Sequence, residues 1–411
     1  MASVSAPVCA ASSDDLLPKR FTEKLDASEY QTVMKHKLLR PAVAFIGAVT
    51  VLTLSTACAE QAEESPATQT TDVDTAVLET TPAPTPRPAI EVAERWLTQR
   101  NERDNVDSVA VWSDGDDRHW LLATAKESNI LIIYDANTGE RIGEAGGTGD
   151  APGKFLRPNG IFVVDDLVWV VERDNRRLQI MQMPDFTPVA ILAEDELIKP
   201  YGLWVDPRDD GYRVFITDSY ETADEQVPPD AELDRRLHRL DIRDNNGELT
   251  MVDYQILGPV EGDGRLLKVE SIWGDPDNNR LLVADEHPDS LNLKIFDLDG
   301  RYTNQTALDG ELFYEPEGTA LDRCADGSGH WVVTDQDELD NRFLVLGRES
   351  LEVIAAFTGA VTSNTDGVWL HADPLPDFPG GVFYAVHDDG NVGAFDWAKV
   401  QSALDIEPCS D

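Results

Sequence analysis

The sequence predicts an all-β protein built as a six-bladed β-propeller, and three observations support this fold class. Short apolar runs rich in Val, Ile, Trp and Tyr, such as HWLLATA, LVWVVER and YRVFITD, recur from about residue 91 onward, and runs of this length are typical of strands. Helical periodicity is confined to EVAERWLTQ and DWAKVQSALD. A short signature repeats six times at intervals of roughly 40 to 70 residues, which is typical of propeller blades.

The composition agrees with a folded domain and argues against a nucleic-acid-binding protein. The 411 residues include 34 basic and 77 acidic side chains, a formal net charge of -43. Proteins that bind nucleic acid carry an excess of Lys and Arg, which replace the counterions of the phosphate backbone. Apolar residues make up 41% and charged residues 27% of the chain, close to globular averages. We therefore expect no nucleic-acid partner, and we expect divalent cations to bind so acidic a chain.

The amino-terminal part is predicted to lie outside the fold. Residues 34–58 read MKHKLLRPAVAFIGAVTVLTLSTAC, the order of charged, apolar and small residues that indicates an export signal, and the apolar run is short for a membrane span. Cys58 at its end resembles the lipidated Cys of a bacterial lipobox, and an uncleaved anchor is the alternative. Residues 1–33 form an extension ahead of this signal.

Residues 59–90 are rich in Thr, Pro and Glu, so they are predicted to form a disordered linker, and residues 91–411 form the folded domain. We expect an exported, monomeric protein of the cell envelope. It is predicted to be an outer-membrane lipoprotein that faces the periplasm or the exterior, with lipid at Cys58 as its only membrane contact. Cys324 and Cys409 fall in the domain, where an oxidising compartment permits a disulfide. Two unpaired buried thiols are the alternative.

The repeated signature places a polar residue or Tyr before Gly or Ser and an apolar stretch. Its six copies begin at Asp107, Asn159, Tyr201, Glu270, Glu317 and Asp366. The strand after each copy ends in a polar residue: Lys126, Arg173, Asp218, Asp285, Gln336 and Asp388. Because blades run outward from a central axis, equivalent positions lie on one ring, and these side chains are predicted to meet at one end of the channel. The alternative is that Gly and Ser serve only for packing and the polar strand ends are solvated.

The acids of this ring are the oxygen ligands that Ca2+ prefers. The predicted metal ligands are Asp107, Glu270, Asp285, Glu315, Glu317, Gln336 and Asp366. The histidines are scattered among the blades, which disfavours zinc. Bound cations can hold phosphate oxygens and activate water, and Lys126, Arg173 and Tyr201 are suited to phosphate. The sequence therefore predicts Ca2+-dependent hydrolysis of a phosphate ester, with Lys126, Arg173, Tyr201 and Glu270 as the catalytic residues.

Several stretches resemble the β-propeller phytases, calcium-dependent secreted enzymes that hydrolyse myo-inositol hexakisphosphate (phytate) on six blades. DNVDSVAVW is similar to that family's DDPAIW start, KPYGLWVD to its VYGFSLY strand and EPEGTALD to its DIEG strand. GHWVVTDQDELDNRFLVL, SNTDGVWL, FPGGVFYAVHDDGN and DWAKV look like its SSQGN-type turn and its TDG, FVAQDG and carboxy-terminal segments. The resemblance runs from about Asp104 to Ile406. It implies metal ligation by the seven residues named above, phosphate contacts from Lys126, Arg173 and Tyr201, and attack by a metal-activated water.

Two departures from the family keep other functions open. This chain has Glu127 where the family has a second Lys, and Asp218-Ser219-Tyr220-Glu221 where the family has a Lys-Glu pair. These residues favour a non-catalytic propeller that binds a ligand or a protein on the same face. A calcium-dependent lactonase-type propeller hydrolase is a further alternative, which would need neither Arg173 nor Lys126. The stretch GGTGDAPGKFLRPNGIFVVDDLVWVVERDNRRLQIM resembles an NHL repeat, which supports a propeller without choosing an activity.

Overall fold

The computed structural model describes residues 87–409. The predicted extension, the export signal with Cys58 and nearly all of the predicted linker lie outside the described residues. Residues 87–409 contain 25 strands, two short 3-10 helices and one α-helix. No helix in this part of the chain has the length and apolar character that crossing a membrane requires.

Six sheets form six blades, and the first four blades take their strands in chain order. The first blade contains β3 (Val106–Ser113), β4 (His119–Ala125), β5 (Ile130–Asp135) and β6 (Arg141–Gly146). The second contains β7 (Pro158–Val164), β8 (Leu167–Glu172), β9 (Arg177–Gln182) and β10 (Thr187–Leu192). The third contains β11 (Pro200–Arg208), β12 (Gly211–Asp218), β13 (Leu237–Asn245) and β14 (Glu248–Leu257). The fourth contains β15 (Val269–Asp275), β16 (Arg280–Asp285), β17 (Asn292–Phe296) and β18 (Tyr302–Ala307).

The last two blades each include a strand from the amino-terminal end of the described chain. The fifth contains β19 (Glu315–Arg323), β20 (Gly329–Gln336), β21 (Arg342–Gly347), β22 (Val353–Gly359) and, parallel to β22, β1 (Ile90–Val92). The sixth contains β23 (Val368–His371), β24 (Val382–His387), β25 (Asn391–Asp396) and, as its outer strand, β2 (Trp96–Leu97). Pairing of β2 with β25 therefore joins the two ends of the described chain in one blade and closes the ring. The predicted six-bladed, all-β fold is confirmed.

The helix predicted over EVAERWLTQ does not form, because this segment provides β1 and β2. Its backbone groups are paired with distant strands: the N–H of Arg95 donates to the carbonyl of Ala394 at 2.7 Å, and that of Thr98 to the carbonyl of Val392 at 2.9 Å. Pairing with a sheet satisfies the backbone as fully as a helix does, so tertiary contacts override the local pattern. The second predicted helix does form, as α1 (Trp397–Leu404).

Three aromatic side chains from alternate blades meet across the channel. Phe162, Trp273 and Trp369 pack edge to face, with ring centroids 5.2 to 5.3 Å apart. Edge-to-face packing at this distance is favourable beyond the apolar area that it buries. The three side chains therefore join the first strands of the second, fourth and sixth blades.

A disulfide joins Cys324 to Cys409, so the paired form predicted for these cysteines is the one present. Cys324 lies in the turn between β19 and β20, and Cys409 follows α1 in the chain. The bond closes a span of 85 residues. It therefore holds the carboxy-terminal segment against the fifth blade.

Candidate functional site

The six signature residues occupy equivalent places at the start of the innermost strands. In five blades the pairing of the first and second strands shifts register across the signature, for example between Val106 and Val109 and between Val269 and Ile272. In the sixth blade Asp366 and Gly367 directly precede β23. A bulge of this kind redirects a side chain away from the sheet. We call the resulting set the inner ring: Asp107, Asn159, Tyr201, Glu270, Glu317 and Asp366.

The small residue after each inner-ring position allows neighbouring blades to approach closely. A Cβ on Gly367 would lie 2.4 Å from the carbonyl oxygen of Asp107, and one on Gly202 would lie 2.8 Å from that of Glu270. Ser271 instead donates a hydrogen bond to the carbonyl of Glu317 at 2.6 Å. The Gly or Ser therefore has a packing role, as in the alternative given for the signature. By setting the distance between neighbouring blades, it also sets the distance between the inner-ring residues of those blades.

A second ring lies at the end of the second strand of each blade. We call it the strand-end ring: Lys126, Arg173, Ser219, Glu286, Gln336 and Asp388. The backbone N–H groups of five of its members donate to the carbonyl of the residue two places before the inner-ring residue of the same blade. These hydrogen bonds join Lys126 to Asn105, Arg173 to Arg157, Ser219 to Lys199, Glu286 to Lys268 and Asp388 to Asn364, at 2.9 to 3.2 Å. The shared pattern shows that these positions are equivalent.

Asp285 was predicted to face the channel mouth in the fourth blade, but Glu286 occupies that position. Asp285 is fully buried, and its carboxylate accepts the backbone N–H groups of Leu267 at 2.9 Å and Lys268 at 3.0 Å. Its oxygens thus fix the loop that enters the fourth blade, and they do not join the acidic cluster. Side chains alternate along a strand, so an error of one residue at the strand end transfers a side chain from the mouth to the interior.

The same correction applies in the third blade. Asp218 is fully buried and accepts the backbone N–H groups of Ile198 and Lys199, each at 2.7 Å. Ser219 takes the place in the strand-end ring for which Asp218 was predicted.

Carboxylates from the fourth and fifth blades form a buried cluster at the mouth. Oxygens of Glu270, Glu286 and Glu317 all lie within 4.8 Å of one another. Burial raises the pKa of Glu270 well above its usual range, and Glu286 adds to the shift. Burial likewise raises the pKa of Glu317, reinforced by Glu270 and Glu286, and the pKa of Glu315, reinforced by Glu286. So many acids in one place are costly to ionise without a cation.

A second group lies across the junction of the first and sixth blades. Lys126 Nζ lies 2.7 Å from Asp107 Oδ1 and 3.6 Å from Asp366 Oδ2, and Gln336 Nε2 donates to Asp366 Oδ1 at 2.5 Å. The Tyr201 hydroxyl lies 3.5 Å from Asp107 Oδ1. Burial raises the pKa of Asp366 to about 8, with Asp107 adding to the shift and Lys126 opposing it. The structure therefore brings together Asp107, Lys126, Tyr201, Gln336 and Asp366.

A basic cavity of about 220 Å³ adjoins these groups. Its lining includes five cations: Lys126, Arg157, Arg173, Lys199 and Lys268. Tyr201, Ser219, Glu221 and Glu270 also line it. Such a concentration of positive charge stands out in a chain of net charge -43. Sequence reasoning found Lys126 and Arg173 but missed the other three cations. Each of the three lies two residues before an inner-ring residue, so extending the signature by two positions would have found them.

The acidic cluster is chemically suited to a hard divalent cation. Glu270 is buried, and its Oε2 atom has no hydrogen-bond partner, which is costly unless a cation or water satisfies it. The cluster of Glu270, Glu286 and Glu317 offers only oxygen ligands, with Glu315 adjacent. Oxygen-only sites select Ca2+ or Mg2+, whereas zinc sites use His or Cys. These residues therefore fit calcium better than zinc.

No family model and no curated protein matches this chain. Solved structures similar to it include hydrazine synthase of Kuenenia stuttgartiensis, at 13% identity over 72% of this chain and 96% of that chain, with a TM-score of 0.43. A nidogen/laminin complex shows 15% identity over 63% of this chain and 82% of that chain, with a TM-score of 0.42. A complex of BBS1N with ARL6DN shows 12% identity over 74% and 97%, with a TM-score of 0.44. The assignment of six blades rests on the strand pairings described above.

Proposed function

We propose that this protein is a calcium-dependent phosphohydrolase that acts on phytate or a related phosphate ester. The observation that supports the proposal most strongly is the meeting, at one mouth, of a buried carboxylate cluster and a basic cavity. Glu270 belongs to both, because it lines the cavity and lies within the cluster. A cation site beside an anion site is the arrangement that metal-assisted phosphate chemistry requires.

In this proposal the carboxylate cluster binds the cation, and the basic cavity binds the phosphate group. Glu270, Glu286 and Glu317 would hold the cation, with Glu315 and Asp366 near them. When bound, such a cation polarises phosphoryl oxygens and lowers the pKa of a water ligand. Hydrolysis then adds water across the P–O bond and releases an alcohol and inorganic phosphate.

Lys126 and Arg173 would bind phosphate oxygens, since charged donors make the strongest hydrogen bonds to phosphate. Burial opposes a charge on Lys126, but Asp107 and Asp366 raise the pKa of its ammonium group. It therefore remains a cation at neutral pH. Tyr201 keeps its proton as well, because burial and then Asp107 raise the pKa of its hydroxyl well above the usual range. It can thus donate a hydrogen bond to the substrate.

The test is release of inorganic phosphate from phytate and from a simple phosphate monoester, with calcium and with a chelator. We expect release in calcium, none after chelation, and a loss of at least about a hundredfold for Arg173→Ala, within the range found when a donor to the transition state is removed. Arg301→Ala is the matched control, because Arg301 is 75% exposed and pairs, among residues 87–409, with Asp297 and Asp299 at 3.2 to 3.5 Å. Absence of phosphate release by the wild-type protein in saturating calcium would overturn the proposal.

A non-catalytic, ligand-binding propeller is the second candidate. It is favoured by Ser219, which places no charge at a strand-end position that lines the basic cavity. Binding of a phosphate ester without its hydrolysis, measured by calorimetry beside the release assay, would support this candidate instead.

A further inference from the structure

Lys268 lies where the basic cavity meets the acidic cluster. It lines the cavity, and its Nζ atom lies 2.5 Å from Oε1 of Glu286, one of the three acids of the cluster. Among residues 87–409, the other four cations of the cavity pair with acids outside the cluster: Lys126 with Asp107, Arg157 with Glu127, Arg173 with Asp174 and Lys199 with Glu221. Lys268 therefore connects the proposed phosphate site to the proposed calcium site.

The ammonium group of Lys268 is a counterion of the acidic cluster. The side chain of Glu286 is 2% exposed, so its carboxylate has little water to stabilise a charge. Burial opposes a charge on Lys268, but Glu286, followed by Glu270 and Glu315, raises the pKa of its ammonium group. In turn, Lys268 opposes the rise that burial and Glu286 cause in the pKa of Glu270. The ammonium group and the cluster thus stabilise one another's charges.

A divalent cation bound by Glu286 would compete with this ammonium group. Its charge is twice that of the ammonium, so it would neutralise the carboxylate more fully and repel Nζ at close range. The backbone of Lys268 is fixed, because its N–H donates to Asp285 Oδ1 at 3.0 Å and its carbonyl accepts the N–H of Glu286 at 2.9 Å. The side chain has a flexible four-carbon stem and is 39% exposed. Its ammonium group can therefore turn away from Glu286 while the residue stays at the wall of the cavity.

We propose that Lys268 couples calcium binding to phosphate binding by exchanging partners. Its ammonium group pairs with Glu286 in the calcium-free protein, and it pairs with a phosphate oxygen when calcium occupies the cluster. This inference rests on the proposed function and adds a residue that binds substrate once the metal is in place. Coupling between two ligands is reciprocal, so phosphate must strengthen calcium binding by the same factor. Calcium that contacts phosphate directly contributes coupling of its own, and the contribution of Lys268 is the part that its removal abolishes.

The test measures the affinity of the full protein for methylphosphonate by isothermal calorimetry, once in saturating calcium and once in a chelator. Methylphosphonate presents phosphate-like oxygens on a P–C bond, so hydrolysis of a phosphate ester does not consume it. The ratio of the affinity in calcium to the affinity in the chelator is the coupling factor. Lys268→Met is the variant, because Met keeps an unbranched side chain and removes the charge. The backbone hydrogen bonds of Lys268 do not involve its side chain, so we expect the variant to fold.

Lys199→Met is the matched control. Lys199 lines the same cavity, lies two residues before an inner-ring residue as Lys268 does, and is 37% exposed. It pairs at 3.2 Å with Glu221, which lies outside the acidic cluster. The control therefore removes an equivalent charge from the cavity without removing the contact with the metal site.

We expect Lys268→Met to bind methylphosphonate as tightly as the wild-type protein does in the chelator. In calcium we expect it to bind on the order of tenfold more weakly, the range for one hydrogen bond between charged groups. Its coupling factor therefore falls on the order of tenfold. Lys199→Met should weaken binding alike in both conditions and so keep the wild-type coupling factor.

Without the anion, Lys268→Met should bind calcium more tightly than the wild-type protein, because no ammonium group competes for Glu286. An unchanged coupling factor in Lys268→Met, or an equal fall in both variants, would overturn this inference and leave the proposed function standing. Wild-type protein that fails to bind calcium or methylphosphonate would instead overturn the proposed function.

Discussion

Replacing Asp366 with Asn is expected to stabilise the metal-free protein at neutral pH. Burial raises the pKa of Asp366 from its usual 3.8 to about 8. Between about pH 4 and pH 8 the folded protein therefore keeps a proton that the unfolded chain has released. Stability falls as the pH rises through this window, because the folded state binds more protons than the unfolded state. Asn resembles the protonated acid and bears no such cost.

The size of the effect follows from the same shift. At pH 7 the unfolded carboxyl is about three pH units above its pKa, which corresponds to a cost of about 4 kcal/mol to the free energy of unfolding. The substitution should recover up to this amount, since Lys126 keeps Asp107 as a partner at 2.7 Å. For a domain of this size we expect the melting temperature to rise by roughly 5 to 10 °C.

The assay is thermal unfolding of both proteins in a chelator at several pH values. The difference in melting temperature should grow from about pH 5 to about pH 8, and added calcium should stabilise the wild-type protein more than the variant. Asp299→Asn is the control, because Asp299 is 59% exposed and lies on an outer turn. A variant less stable than wild type in the chelator, or a difference that does not depend on pH, would refute the reasoning.

Two further predictions concern the frame that holds the site. Gly367→Ala should cost about 2 to 4 kcal/mol in urea unfolding, because the new methyl group would lie 2.4 Å from the carbonyl oxygen of Asp107 and neighbouring blades would have to separate. Gly143→Ala is the control, because its new methyl group would lie no closer than 3.5 Å to another side chain. Cys409→Ser should lower the free energy of unfolding by about 2 to 5 kcal/mol, and a reductant should lower the stability of the wild-type protein to the same value. If the reductant leaves the stability of the wild-type protein unchanged, a structural role for the bond with Cys324 is contradicted.

The fold and the inner ring were predictable because the same short sequence signature recurs in successive blades of the propeller. The signature, as at Asp107, Glu270 and Glu317, marks a bulge that recurs in five of the six blades, so its position could be read without knowing any long-range contact. A bulge also needs a small residue where the next blade approaches, which is why Gly or Ser follows each position.

The strand-end ring was harder to predict, because alternation reveals which residues share a face but not where a strand ends. Asp285 and Glu286 are both acidic, and only the backbone hydrogen bond from Glu286 to Lys268 shows which one reaches the mouth. Closure of the ring by β2 was also beyond local reasoning, since Trp96 pairs with Ala394 across nearly the whole domain. Contacts of this kind arise from the fold and leave no periodic trace in the chain.

The most direct test of the account is a calcium titration of the chelator-treated protein by calorimetry, repeated with Glu317→Gln. Glu317 is buried, and its oxygens lie within 4.8 Å of those of Glu270 and Glu286. We predict saturable calcium binding accompanied by proton release, because burial raises the pKa of Glu270 and of Glu317, and loss of most of this affinity in the variant. Calcium binding that is absent, or that is equal in the wild-type protein and the variant, would contradict a cation site at the mouth of the propeller.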